Sequence, residues 1–434
     1  MSKSFYIETF GCQMNKNDSE LMRLSLCSEG YVPSAKIDEA DIVIYNTCSV
    51  REHAENRVRA RIASDQKSVR GRGGLIIVAG CMAQRVGAEL IKDKTADMVI
   101  GPYQSPAIGE KLRGYFSGEP ARLFLSQAAE DFESRLKGTP GGWRAWLTIT
   151  HGCANFCAYC IVPYVRGRLI SFNSADIIER ARRLAAEGAL EITLLGQNVN
   201  QFGQDTGDIP FYSLLEKIAA IPGLARLNFL TSHPRDFSED IIMVIADNPN
   251  ISRSVHLPLQ SGSDKILALM NRAYTMSHYR ALIDMIGKRL NEYSVTTDLI
   301  VGFPEENEDD YNATLSAVRE IRFDEAFTYA YSPREGTPAA VMEETCGARE
   351  KTERLNELIA IQRKISKDKL LARLNRVEEV IPEKVSRRGA DELVGRTSLN
   401  HPAVISGSAR DIGKPFKIRI DAVNGSTLRG IRIA

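Results

Sequence analysis

The sequence lacks any long apolar run: stretches such as Leu75 to Gly80 and Leu299 to Phe303 are far too short to cross a bilayer, which excludes a chain built on membrane-spanning helices. It also lacks an apolar leader. Met1-Ser2-Lys3-Ser4 runs straight into the strand-like Phe5-Tyr6-Ile7, with no small-residue cleavage site, so a secretory signal is not expected and a cytoplasmic location is. In that reducing compartment structural disulfides are disfavoured, and the eight cysteines read better as metal-binding or redox groups. Charge of one sign is missing too. At a net +1 the chain has almost no overall field, so any polyanionic partner must be gripped by local basic patches. What remains is an ordinary composition, 43% hydrophobic and 26% charged, in 434 residues, too many for one compact core; two or three domains are expected.

The first hundred residues alternate strand-like and helix-like patterns: Phe5 to Phe10 then Ser19 to Glu29, Ile42 to Tyr45 then Glu52 to Ala63, Leu75 to Ala79 then Ala83 to Ile91, then Met98 to Ile100. This predicts a small α/β unit with a parallel sheet. Three of its apolar runs end in a cysteine, at Cys12, Cys48 and Cys81, separated by 36 and 33 residues, about one βα repeat each. All three thiols therefore fall at carboxyl ends of neighbouring strands, the edge where open α/β sheets bind ligands. An isolated cysteine is usually a small buried hydrophobe, and Cys27, inside the helical Leu21 to Leu26 pattern, is read that way. The repeated strand-end placement of the other three favours metal.

A turn-rich segment, Gly138-Thr139-Pro140-Gly141-Gly142, leads into a second unit. Strand candidates Ala145 to Thr150, Glu191 to Leu195, Arg226 to Leu230, Ser254 to Leu259, Ser294 to Val301 and Ala326 to Tyr331 recur with amphipathic helices between them, such as Ser174 to Glu187. Six βα repeats suggest an open, partial barrel. A helix over Arg349 to Leu374 precedes a tail of short strands and turns, including Lys417 to Ile420 and the hairpin-like Asn424-Gly425, that reads as a small β-barrel. The fold class is α/β, divided into residues 1–118, a linker at 119–143, a core at 144–370 and a tail at 371–434.

The most specific signal follows the first strand of the second unit: Cys153, Cys157 and Cys160, spaced by three residues and then two, with Tyr159 just before the last. Three thiolates on one short loop suit a four-iron cubane and leave one iron open to a small molecule. A zinc site completed by His151 is the rival, although zinc motifs usually bring a paired second half from elsewhere.

These residues resemble the radical S-adenosylmethionine enzymes, which carry this cysteine spacing after the first strand of a partial barrel. The resemblance narrows to the methylthiotransferases and covers essentially the whole chain, through Gly11-Cys12-Gln13-Met14-Asn15, Asn46-Thr47-Cys48-Ser49-Val50-Arg51, Gly80-Cys81-Met82, Val162-Pro163-Tyr164-Val165-Arg166-Gly167-Arg168, Leu195-Gly196-Gln197-Asn198-Val199-Asn200, Thr231-Ser232-His233-Pro234, His256 to Ser263 and Tyr331-Ser332-Pro333-Arg334. The tail resembles the RNA-binding TRAM barrel, through Glu392 to Thr397 and Ser426 to Gly430. The resemblance implies a Rossmann-like N-terminal domain holding an auxiliary cluster on Cys12, Cys48 and Cys81, a radical core holding a second four-iron cluster on Cys153, Cys157 and Cys160, and two molecules of S-adenosylmethionine per turnover. It implies cofactor contacts at Tyr159, Gly196, Gln197, Asn198, Ser232 and Gln260. As partners it implies tRNA and a small electron donor of flavodoxin or ferredoxin type, with the enzyme itself a monomer.

Gln13-Met14-Asn15 and Arg51-Glu52-His53 look most like the branch acting on isopentenyl-adenosine at tRNA position 37; relatives act on threonylcarbamoyl-adenosine or on an aspartate of a ribosomal protein. Phe172 and His401 stand where relatives commonly have arginine, and Glu305 where they have glycine. His53, His233 and His256 read as structural histidines, and Cys346 as unligated. From Arg376 onward eleven Lys or Arg face seven Asp or Glu, and Arg387, Arg388, Arg396, Arg429 and Arg432 on a small barrel suit phosphate contact.

Overall fold

The computed structural model describes residues 3–49, 52–126, 142–387, 389 and 391–433, the side chains of 52–54 excepted. Val50, Arg51, most of the turn-rich segment at 138–142, Arg388 and the His53 side chain thus lie outside the described residues.

The first unit is a parallel sheet of β1 (Ser4–Thr9), β2 (Val32–Pro33), β3 (Ile42–Thr47), β4 (Leu75–Gly80), β5 (Met98–Ile100) and β6 (Leu123–Phe124), ordered β2-β1-β3-β4-β5-β6. Every residue of β3 and β4 is buried, which is why both read as continuous apolar runs rather than alternating ones. Val43, Tyr45, Ile76 and Val78 fill a core on one face; Ile42, Ile44, Ile77 and Ala79 fill a core on the other. Helices α1 (Gln13–Ser28), α2 (Glu52–Gly71), α3 (Cys81–Lys92) and α4 (Ile108–Phe116) supply the cover. The strand order reverses between β1 and β3, and the crevice outside that switch point is the expected ligand site of such sheets.

The second unit contains two parallel three-stranded arcs. One is β7 (Arg144–Thr148), β10 (Glu191–Leu195) and β11 (Arg226–Phe229); the other is β12 (Ser254–His256), β13 (Ser294–Val301) and β14 (Glu325–Ala330). A parallel bridge, Leu227 to Ile251, links the arcs, giving the six-stranded partial barrel expected. Two strand ends differ from expectation. The first strand breaks at Ile149, after which β8 (Thr150–His151) pairs antiparallel with β9 (Ile170–Ser171). The fourth strand stops at His256 because Pro258 has no N–H to continue the ladder.

The short α5 (Val162–Arg166) packs against α3 of the first unit, while α6 (Ser174–Ala186), α7 (Phe211–Ala219), α8 (Glu239–Asp247), α9 (Asp264–Leu269), α10 (Met276–Arg289) and α11 (Glu308–Ile321) follow the successive strands of the barrel. α6 begins where the Asn173 carboxamide accepts the Ala175 and Asp176 N–H groups. The long helix α12 (Ala348–Leu371) packs on β14, and Gln362 Nε2 donates to the Phe323 carbonyl at 2.9 Å.

The tail is a closed five-stranded barrel of β15 (Val377–Val385), β16 (Glu392–Thr397), β17 (Pro402–Ser406), β18 (Phe416–Asn424) and β19 (Thr427–Arg432), filled by Val380, Leu393, Ile405, Ile418, Ile420 and Leu428. It docks on the amino ends of the central strands. Arg144 joins Glu191 at 2.7 Å and Glu383 at 2.6 Å, Ser294 Oγ donates to the Leu399 carbonyl at 2.8 Å, and His401 meets Asp324 at 3.4 Å.

Candidate metal centres and the seam between them

Cys12 caps α1, Cys48 follows β3 and Cys81 opens α3, so all three stand at carboxyl strand ends around the switch point. Gly11, at φ +111, lies so close to Cys48 that an added Cβ there would overlap the Cys48 Cβ; the bare backbone lets the first loop press against the second. Cys12 is exposed, while Cys48 and Cys81 are buried. Asn15 ties the loops, its Nδ2 donating to the Thr47 carbonyl at 2.8 Å while its Oδ1 accepts from Cys12 Sγ at 3.3 Å. Two helix N-termini thus stand at thiols, that of α1 at Cys12 and that of α3 at Cys81.

Cys153, Cys157 and Cys160 lie on the loop after β8. Its entry depends on Gly152 at φ +75, where a Cβ would overlap the Arg168 carbonyl oxygen. Asn155 anchors its middle: Oδ1 accepts from Gln201 Nε2 at 2.9 Å and from Arg235 Nη2 at 2.6 Å. Burial, with Cys157 alongside, pushes the Cys153 thiol up to about 11 and raises that of Cys160 further. Burial likewise raises Cys81, against the pull of Arg166. Sites of this kind hold protons until a metal displaces them.

A buried guanidinium reaches each set. Arg166 donates from Nε to Cys81 Sγ at 3.3 Å and from Nη2 to Asp18 Oδ2 at 2.6 Å, and its Nη1 meets His151 Nε2 at 3.1 Å. Burial holds His151 well below its ordinary range, and Arg166 pushes the same way, so the imidazole is neutral and accepts from the guanidinium. Arg272 donates from Nη1 to Cys157 Sγ at 3.3 Å, from Nη2 to the Pro258 carbonyl at 2.9 Å and from Nε to Tyr274 Oη at 3.1 Å. Arg166 is the hinge of the arrangement, since one of its partners is a thiol of the first set and another lies two residues before Cys153. Cys81 also packs against Ile161, the residue after Cys160, and Val165. The two sets therefore face one seam.

Among the described residues no three His, Cys, Asp or Glu side chains converge on a single ion. Each set supplies three thiols, the donor set that a four-iron cubane takes when one iron is left open. The surroundings fit as well. Gln13 Nε2 and Ser49 Oγ, each next in sequence to a thiol of the first set, Thr150 Oγ1, three residues before Cys153, and Gln197 Oε1, after β10, are buried atoms without a protein partner among the described residues, as polar groups facing a bound group would be.

The expected cofactor contacts gather on the same rim. Tyr159 Oη lies 3.5 Å from Arg272 Nη1. The Gly196 carbonyl accepts from Thr231 Oγ1 at 2.8 Å, Asn198 Nδ2 donates to Asp236 at 2.7 Å, and Ser232 and Gln260 are buried, the latter at φ +72. His233 is buried and its pKa falls to about 2 through desolvation and the nearby arginines. His256 is half-buried between Thr296 at 2.9 Å and Asp298 at 3.1 Å. Phe172 sits in the central core, and Glu305 has the left-handed φ of +64 that glycine adopts more easily. Cys27 is half-buried against the first sheet's core and Cys346 is buried after β14. In the tail, Arg387 is exposed, Arg396 reaches the Asn400 carbonyl at 2.9 Å, Arg429 pairs with Glu392 at 2.8 Å and Arg432 covers the Phe416 ring. Sequence reasoning missed Asp18 and Arg272; Asp18 sits within the polar run Asn15 to Glu20 and Arg272 follows Asn271 in a turn, and nothing local singles out either.

Residues 4–101 match the uncharacterized protein family UPF0004 and residues 147–318 match the Radical SAM superfamily. The chain is 42% identical to the tRNA-2-methylthio-N(6)-dimethylallyladenosine synthase of Dictyoglomus thermophilum, over 98% of both chains, and 41% identical to the protein of the same name from Carboxydothermus hydrogenoformans, over 99% of both. Among solved structures it is similar to the radical S-adenosylmethionine methyltransferase TsrM of Kitasatospora setae, with a TM-score of 0.59 at 14% identity, covering 79% of this chain and 74% of that one, a likeness of fold.

Proposed function

The chain belongs to the tRNA-2-methylthio-N(6)-dimethylallyladenosine synthase family, and from that membership we propose that its two cysteine triads hold two four-iron clusters serving one reaction. It is a radical S-adenosylmethionine tRNA methylthiotransferase. Its reaction puts sulfur and methyl on carbon 2 of N6-isopentenyladenosine at position 37 of tRNA, giving the 2-methylthio-N6-dimethylallyl product. Cys153, Cys157 and Cys160 would hold a cluster that would supply an electron for the cleavage of S-adenosylmethionine, and Cys12, Cys48 and Cys81 would hold one that would supply iron–sulfur chemistry for the sulfur transfer.

The protein's own part is to position these groups. Gly152, Asn155 and Arg272 hold the second thiol loop, and the ends of β10, β11 and β12 bring Gly196, Gln197, Asn198, Ser232 and Gln260 to the cofactor. The carrying observation is Arg166, which touches Cys81 on one side and His151, next to the Cys153 loop, on the other. Chemistry that joins a radical to a sulfur needs both centres within reach of one base, because reacting groups held together replace a bimolecular encounter.

The tail, with Arg387, Arg388, Arg396 and Arg429, grips the tRNA backbone. A flavodoxin- or ferredoxin-type donor reduces the enzyme, which works as a cytoplasmic monomer using two S-adenosylmethionines per turnover; among the described residues no helix is long and apolar enough to cross a membrane. The test is to incubate the anaerobically reconstituted enzyme with reductant, S-adenosylmethionine and tRNA bearing isopentenyladenosine, and to measure nucleosides by mass spectrometry. The methylthio nucleoside is expected; its absence alongside modification of threonylcarbamoyl-adenosine or a ribosomal-protein aspartate would reassign the substrate.

A further inference from the structure

Each triad has one buried arginine on one of its sulfurs, but the two arginines differ in their other partners. Arg166 is matched by a carboxylate: Asp18 lies at 2.6 Å and both side chains are 3% exposed, so the pair brings little net charge to Cys81. Arg272 has no such match. It is 4% exposed, its other hydrogen bonds go to the Pro258 carbonyl and to tyrosine hydroxyls, and among the described residues no Asp or Glu pairs with it. A buried cation with only neutral partners is costly, and an anionic thiolate-bound cluster is the counter-charge that makes it tolerable.

Reduction adds negative charge to a cluster, so a cation donating an N–H to a ligating sulfur favours the reduced form and raises the potential. Resting on the two-cluster reading above, we propose that Arg272 and the Arg166–Asp18 pair are positioning residues that set the two reduction potentials separately. Arg272 raises that of the Cys153-Cys157-Cys160 cluster with an uncompensated charge, and Asp18 mutes the effect of Arg166 on the Cys12-Cys48-Cys81 cluster. The arrangement gives the first of these an electrostatic aid to accepting an electron in a buried place, while the other is shielded from the same aid.

The test is an EPR-monitored redox titration of the full-length chain carrying one cluster at a time, the other triad replaced by alanine. With the Cys153 set retained, Arg272→Gln is expected to move the potential in the negative direction, and Arg272→Lys to move it less, because charge remains. With the Cys12 set retained, Arg166→Gln is expected to lower the potential and Asp18→Asn to raise it. Opposite signs from two partners of one ion pair cannot come from simple loosening of the fold, and the charge-keeping Arg272→Lys and Arg166→Lys, each expected to move its potential less than the glutamine variant, keep the test decisive should the neutral variants fail to fold. Parent chains that bind no iron defeat the two-cluster reading and this inference together. Iron bound normally with potentials that do not move, or that move in one direction for both Arg166→Gln and Asp18→Asn, overturns the inference alone.

Discussion

Gly152 turns the chain into the second thiol loop in a conformation that L side chains rarely adopt, with the Arg168 carbonyl filling the space a Cβ would need. Gly152→Ala is therefore expected to distort one cysteine loop and leave the other: reconstituted iron should fall by roughly half, to about four per chain, with far-ultraviolet circular dichroism unchanged. Asp324 sets a pH dependence at the same scale. Burial works against its carboxylate, but the His401 hydrogen bond, the Lys369 ammonium at 2.6 Å and the Val295 N–H at 2.9 Å outweigh it and hold the carboxyl below the ordinary range. A depressed acid adds stability above its unfolded value of about 3.9 and loses it as pH falls through the lower folded value. Docking of the tail on the central barrel should accordingly loosen only below about pH 4, seen as new hydrogen exchange at 397–401, and Asp324→Asn should show that loosening already at neutral pH.

The helices and strands differ in how openly the sequence announces them. β3 and β4 are buried at every position and are legible as apolar runs, and the cysteine after each follows from that placement. The strand at Ser254 is shorter than its apolar pattern, which continues through Leu257 and Leu259, because Pro258 ends the ladder. Spacing exposes the cysteines, but their arginine partners lie far off in sequence, Arg272 115 residues from Cys157 and Arg166 85 from Cys81, so only folding reveals them. The tail barrel illustrates a further limit. Its basic residues are visible in the sequence, but not that Glu392 meets Arg429 or that Glu383 lies 3.8 Å from Arg396. If RNA phosphates displace these glutamates, Arg396→Gln with Arg429→Gln should weaken tRNA binding and flatten its log–log salt slope by roughly 0.7 to 0.9 for each phosphate no longer neutralised. An unchanged slope in filter binding would take these two residues out of the RNA site.

Across the whole molecule the tail and the cysteines occupy opposite ends of the central barrel. The tail rests on the amino ends of the strands, through Arg144, Ser294 and Asp324, and both thiol sets stand at carboxyl ends. A five-residue strand spans about 17 Å, so an RNA held by the tail must run along the barrel to bring one base to the seam. The seam is closed by the Arg166–Asp18 pair, and breaking such a buried pair costs roughly 3–5 kcal/mol, so single removal of Asp18 should lower the melting temperature clearly. Replacing Cys157 with alanine should abolish cleavage of S-adenosylmethionine while sparing the iron on Cys12, Cys48 and Cys81. Two separate iron centres, one on each triad, is the proposal from which the chemistry follows, and iron counting tests it most directly. After anaerobic reconstitution the parent chain should hold about eight irons, and the two triple alanine variants, one for each triad, about four each. A parent holding about four, or a single triad whose loss empties the protein of iron, would contradict the account.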